Sequence, residues 1–482
     1  MVGLSIQKFH QGLFMNVILI DWVIFITVIA MMFILGIITW NRTRTYDQYL
    51  VAERKIGYFE TTCVSAGLAT AASLGVVGLG YEFGMAGSWF FTMLGVGFFT
   101  LAFTITTRLR QLAKFQVVDI FELRYGRTST YIITVIALFS YITLLSIGYV
   151  GAGLVVSVFT GLPLLTSISI IGMMFTVKVV VGGWRGTTYT TTFQLLIFLV
   201  GLAIVFQTAL VNVGSWESLT VNLPAEALDI MAIPFAPLFI FAFFFLMTLS
   251  MPSTADAYQV INAAKSSNIA RNSIIFGGII VIIVGIISAF IGVLGMVEFP
   301  HGTIESGELV MPLFVMLLPP GLLGFTAGAL LAGVSSLVDI DIMVGATLIA
   351  RGFIRRDINT AKLRLFALLV GITALIIGLA MPNILGLVEL CFRVYIPASV
   401  PSVLAAFYWK RATSSAAIAS ALVGALTGGL WTFLVLPFFH FTIWEFILEP
   451  AFIGLIASTI ALIIVSYSSK PPPIERVMTI AS

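Results

Sequence analysis

Ser335 and Ser336 stand side by side within an apolar run, and Asp339 follows four and three residues later on the same helical face. A carboxylate at membrane depth is expensive and usually functional. It can hold a cation, take up a proton, or close a structural ion pair. The two hydroxyls can ligate a hard cation, or bond back to the preceding turn of their own helix. Asp341 lies two residues on and projects from a different face. A second constellation is Glu389 and Arg393, at the i,i+4 spacing that favours a Glu-to-Arg pair. Either the pair is closed on itself, or the planar fork of Arg393 receives a substrate carboxylate. A third is Cys63–Gly80, crowded with Gly67, Gly75, Gly78 and Gly80 and with Ser65, Thr70 and Ser73. Such residues predict a helix broken near Leu68–Ala72 whose freed carbonyls face a central site. The alternative is an unbroken helix with small residues at close contacts.

The elements that carry these groups must cross a membrane. Of 482 residues, 60% are hydrophobic and 9% charged, with a mean hydropathy of +1.11. That composition is an all-α integral membrane protein in a lipid bilayer. A net charge of +3 gives no reason to expect a nucleic-acid partner. No nucleophile–base pair or metal cluster suggests an enzyme. Cys63 and Cys391 fall within apolar runs, so no disulfide is expected. Residues 1–15 do not have the pattern of a cleavable signal.

Thirteen runs reach spanning length, near 18–40, 61–82, 88–107, 129–158, 162–181, 188–212, 231–254, 272–297, 313–338, 363–381, 384–408, 412–437 and 450–468. Pro319, Pro320 and Gly321 divide the ninth, so its true span is expected near Leu322, with Glu308–Leu318 along the surface. With the N-terminus outside and the C-terminus cytoplasmic, 22 of the 24 Lys and Arg residues, Lys178 among them, fall on the cytoplasmic side. His10, His301 and His440 all fall outside the membrane, so no histidine is expected to serve a proton relay within it. The segment 470–482 reads as a short disordered cytoplasmic tail.

Several motifs, in order, are similar to the sodium:solute symporter family. They are LIDWVIF at 19–25, YDQYLVAERKIGYF at 46–59, SAGLATAASLGVVGLGYEFG at 65–84 and RLRQLAKFQVVDIFELRYG at 108–126. GGWRGTTYTTTFQ at 182–194, LAGVSSLVDID at 331–341 and PASVPSVLAAFYWKRAT at 397–413 complete the set. The resemblance implies a LeuT-type fold: a leading helix at 18–40, inverted five-helix repeats at 61–212 and 231–409, and trailing helices within 412–468. It implies a monomeric plasma-membrane symporter for Na+ and a small organic solute. The family's sodium ligands fall on the carbonyls of Leu68, Ala71 and Ala332 and the hydroxyls of Ser335 and Ser336. Thr191 stands where relatives with a second sodium place an aspartate, while Asp339 appears on the eighth core helix. Asp339 and Thr191 therefore mark a second cation or proton site. Substrate is expected at the breaks, against Thr70, Ala72, Gly75, Phe90, Met93, Leu94, Gly97 and Ser253, with Arg393 paired to Glu389. Leu94 replaces the Glu or Gln of sugar and sialic-acid carriers. A small apolar pocket with one cation suits a monocarboxylate or an apolar amino acid; a sugar or a proton-coupled solute is the alternative.

Overall fold

A computed structural model describes residues 17–39, 43–70, 72–112, 116–214, 244–354, 358–434 and 449–473, with scattered positions in 219–232 and 475–477. The principal helices are α1 (Leu19–Ile38), α2 (Tyr58–Thr70), α3 (Ser73–Phe83), α4 (Trp89–Thr104), α5 (Arg127–Thr160) and α6 (Leu164–Val213). They continue as α7 (Ala255–Ala263), α8 (Ser267–Glu298), α9 (Leu322–Ile349), α10 (Thr360–Ala380), α11 (Ile384–Tyr408), α12 (Ser414–Leu434) and α13 (Pro450–Ser468). Among the described residues, ten helical stretches are long and apolar enough to cross a membrane. Thirteen spans were expected, and two of them, 162–181 and 188–212, are the two helical halves of α6, which meet at a kink. There Gly183 turns the chain at φ +58. The 61–82 span is split into α2 and α3, the latter running almost directly into α4. The first part of the 231–254 span, and most of the tail, lie outside the described residues.

α9 is the axis of the molecule. Its most apolar window is wholly buried, whereas that of α1 or α13 is mostly exposed, as a lipid-facing helix should be. Without a hydrophobic drive between helices in lipid, close approach depends on small residues. A Cβ on Gly80 would collide with the carbonyl of Ala289, and one on Gly292 with that of Val77. The glycine-rich stretch therefore does two things: it interrupts the helix, and it seats α3 on α8. At one end of the bundle, Asp21 of α1 accepts hydrogen bonds from the amides of Gly321 (2.7 Å) and Gly324 (3.0 Å), capping the start of α9. At the other, Arg351 pairs with Asp119 at 2.8 Å, and Arg124 donates to the carbonyls of Trp409 and Lys410.

Candidate functional site

α2 ends at Thr70 and the helix resumes at Ser73. The last turn of α2 meets the middle of α9. Ser336 Oγ lies 2.6 Å from Thr70 Oγ1, 2.7 Å from the Gly333 carbonyl and 3.1 Å from the Gly67 carbonyl. Thr70 Oγ1 reaches the same two carbonyls, at 2.9 and 3.1 Å. Two hydroxyls and two carbonyls thus converge, with both hydroxyl side chains buried. Neutral oxygens in this number suit a hard monovalent cation. Among the ligands implied by resemblance, Ser336 lies in this nest, with the half-buried Leu68 adjacent on α2 and Ala332 one turn earlier on α9. Ala71 lies outside the described residues. Thr70, a substrate candidate, belongs to this α2–α9 contact.

Ser335 points about 100° around the helix from Ser336, toward α6. Its Oγ accepts from Lys178 Nζ at 2.7 Å and from Gln194 Nε2 at 3.0 Å. Lys178 also forms an ion pair with Asp339 Oδ1 at 2.8 Å. Asp339 Oδ2 accepts from Thr190 Oγ1 at 2.9 Å and Gln194 Nε2 at 3.1 Å. Lys178 was expected among the cytoplasmic cations; instead it is 4% exposed and turned into the core. Its butyl stem runs along apolar helix surface and its ammonium finds a counter-charge, which makes that burial tolerable. Thr191 faces α2: its methyl would lie 2.7 Å from a Cβ on Gly67, and its buried hydroxyl has no partner among the described residues.

The second break follows Pro252. Met251–Ser253 form one tight turn and Thr254 is extended, with ψ 122, before α7 begins. Tyr395 of α11 donates to the Ser253 carbonyl at 2.7 Å, and Ser399 reaches the Ser253 hydroxyl at 3.1 Å. Tyr141 of α5 caps α7, accepting from the Ala255 amide at 2.6 Å. α4 packs on this turn: a Cβ on Gly97 would sit 2.6 Å from Met251 Cγ, and the Met93 carbonyl accepts from Thr248 at 3.5 Å. Leu94 packs at the edge of the core, and Phe90 stacks on Phe392 of α11 at 6.4 Å. Ala72 is half-buried at the α2–α3 junction, and Gly75 faces Ile384 and Leu385 of α11. Beside it, the Ser73 hydroxyl is 1% exposed and has no partner among the described residues. Both carboxylate oxygens of Asp341 are likewise buried and unpartnered among them.

Arg393 does not join these groups. Glu389 lies 2.9 Å from it, and Glu449 binds it twice, at 2.8 and 3.2 Å. Tyr395 and Ser399, which face the Pro252 break, project from the opposite flank of α11. The guanidinium thus ties α11 to the start of α13. A cavity of about 530 Å³, lined by Leu249, Val400, Leu404, Leu455 and Leu462 among others, also lies between α11 and α13; Thr70, Ser73, Ser253 and Thr254 do not line it. Sequence reasoning missed Lys178, Thr190 and Gln194. A lysine inside the apolar run FTVKVVV was the available signal.

A sequence model of the sodium:solute symporter family matches residues 49–424. The osmoregulated proline transporter of Bacillus subtilis is 26% identical over 473 residues, covering 92% of this chain and 93% of that protein. A sodium/proline symporter of Haemophilus influenzae is also 26% identical, over 494 residues and the same shares. Among solved structures, a Na+-coupled sialic acid symporter in a substrate-bound outward-open state superposes with a TM-score of 0.77. It is 17% identical and covers 94% of this chain and 98% of its own.

Proposed function

Because the chain belongs to the sodium:solute symporter family, we propose that it imports a small apolar amino acid, proline foremost, together with Na+. Family membership makes it a multi-pass membrane symporter coupled to Na+ rather than an enzyme. The substrate reading rests on one local observation, the buried Ser73 hydroxyl at the N-terminal end of α3, which has no partner among the described residues. A helix N-terminus carries partial positive charge, and a free hydroxyl there adds a donor, so a carboxylate is the natural ligand. The apolar surroundings, Gly75 with Ile384 and Leu385, leave little for a sugar to bond. Relatives named for proline supply the amine.

In this reading Na+ enters the nest of Thr70, Ser336 and the carbonyls of Gly67 and Gly333, joining α2 to α9. That ordering prepares the end of α3 for substrate, whose arrival closes the outer side. The protein works as a monomer in the plasma membrane, N-terminus outside. At −100 mV each charge moved inward contributes about 2.3 kcal/mol of drive, apart from any gradient. The test is proline uptake into proteoliposomes. An imposed inward sodium gradient is expected to drive accumulation. Uptake that follows a pH gradient and ignores sodium would remove the coupling. Competition by prolinamide as strong as by proline would remove the carboxylate.

A further inference from the structure

We propose that the Lys178 ammonium is a tethered cation filling the second of two adjacent ion positions, so that only one Na+ binds per cycle. The proposal rests on the sodium-symport reading above. Lys178 Nζ sits 2.7 Å from Ser335 Oγ and 2.8 Å from Asp339 Oδ1, between a hydroxyl and a carboxylate fit to hold a free cation. Its outer side faces the Phe175 ring, 4.8 Å from the centroid, which favours positive charge.

Acceptor bookkeeping makes the point sharper. A serine hydroxyl has two acceptor lone pairs. Both of those on Ser335 are engaged, by Lys178 and by Gln194. Gln194 also holds Asp339 Oδ2, together with Thr190. A second Na+ arriving here would find Ser335 without a free lone pair, Asp339 already neutralised, and a like charge in the place it needs. The oxygens of the nest around Ser336 and Thr70 bond one another and take part in none of the Lys178, Gln194 or Thr190 contacts, so they are the ones that remain for the first ion. The resident ammonium cannot leave with the substrate, so it contributes charge balance without contributing drive. Lys178 is in this sense a stoichiometry-determining residue.

The experiment is equilibrium binding of sodium-22 to the purified full-length protein at pH 8.5, where no substrate need be known. The parent is expected to hold one Na+. Lys178→Met uncovers Asp339 and should hold two, a two-fold rise in bound sodium. The double variant Lys178→Met/Asp339→Asn removes both charges and should return to one. Two sodium ions on the parent would overturn the proposal. So would a single ion on folded Lys178→Met, which would make the pair a structural bridge only. Absence of any bound sodium on the parent would remove the symport reading itself, and this proposal with it. Should Lys178→Met fail to fold, Lys178→Gln, whose neutral amide can still donate to Asp339, takes its place: two ions are expected on it, and a single ion on the folded variant would overturn the proposal.

Discussion

Glu308 offers the most quantitative prediction. It lies in the turn Gly307–Leu309 between α8 and α9, outside the spanning helices, yet is 6% exposed. Its Oε1 accepts from the Leu385 amide at the start of α11 at 3.3 Å, and its stem packs against Gly78 of α3. It therefore joins three elements at one mouth of the bundle. Burial pushes its carboxyl up to about 7, against the pull of the Leu385 and Ile384 amides. Unfolded, it titrates near 4.5. Between these values the native protein keeps a proton that the unfolded chain has released, so stability falls as pH rises through this window and levels off above it. The full difference is about 3 kcal/mol at 1.36 kcal/mol per pH unit. Glu308→Gln keeps the shape and the acceptor but cannot ionise. The variant should match the parent at pH 5 and exceed it by up to about 3 kcal/mol above pH 7.5. Thermal unfolding of purified protein from pH 5 to 8.5 measures this. Parallel melting curves for parent and variant at every pH would show that Glu308 does not carry the penalty.

Three further outcomes follow from the same geometry. Ser336→Ala removes one oxygen of the nest and leaves Thr70 short of a partner; the sodium concentration for half-maximal uptake should rise roughly ten-fold, the equivalent of about 1.4 kcal/mol within the usual cost of an unmade buried hydrogen bond. Arg393→Gln should lower the melting temperature by releasing α13 from α11, while binding of proline and of its amide change by the same factor; a selective loss of the acid would bring Arg393 back to the substrate. Gly80→Ala drives a methyl into the Ala289 carbonyl, a backbone atom that cannot rotate away. It should cost on the order of 3 kcal/mol and appear as lost folded protein in size-exclusion chromatography, whereas Gly429→Ala, whose Cβ would meet only Val394 Cγ2 at an ordinary 3.7 Å, should express normally.

What could be read from the sequence, and what could not, follows from the range of each interaction. The turn at Ala72 between α2 and α3 was legible because glycine and small hydroxyl residues act locally, on the backbone of their own turn. The same holds for the Pro252 turn. The span positions follow from a solvent that accepts only runs of apolar residues. Glu389 as a partner of Arg393 was legible at i,i+4; Lys178 as the partner of Ser335 and Asp339, and Glu449 as the second partner of Arg393, were not, because each is more than fifty positions away. Lys178 shows why. Counting cations assigns a lysine at the end of an apolar run to water, since a lone ammonium in hydrocarbon is prohibitively expensive. Asp339, 161 residues later, cancels that expense at 2.8 Å. The two anomalies of the sequence, a carboxylate with no partner on its own helix and a lysine in FTVKVVV, are halves of one arrangement. Asp339 alone is an exception to the membrane rule and Lys178 alone is counted out of the membrane; together they obey it. An intramembrane acid and an intramembrane base in one chain should therefore be tested as a pair before either is assigned to a transported ion. For this chain the pairing gives Asp339 a counter-charge within the protein, at 2.8 Å, where a second free cation was expected; in the proposed reading Asp339 anchors a resident cation, and Ser336 and Thr70 are the oxygens left to sodium.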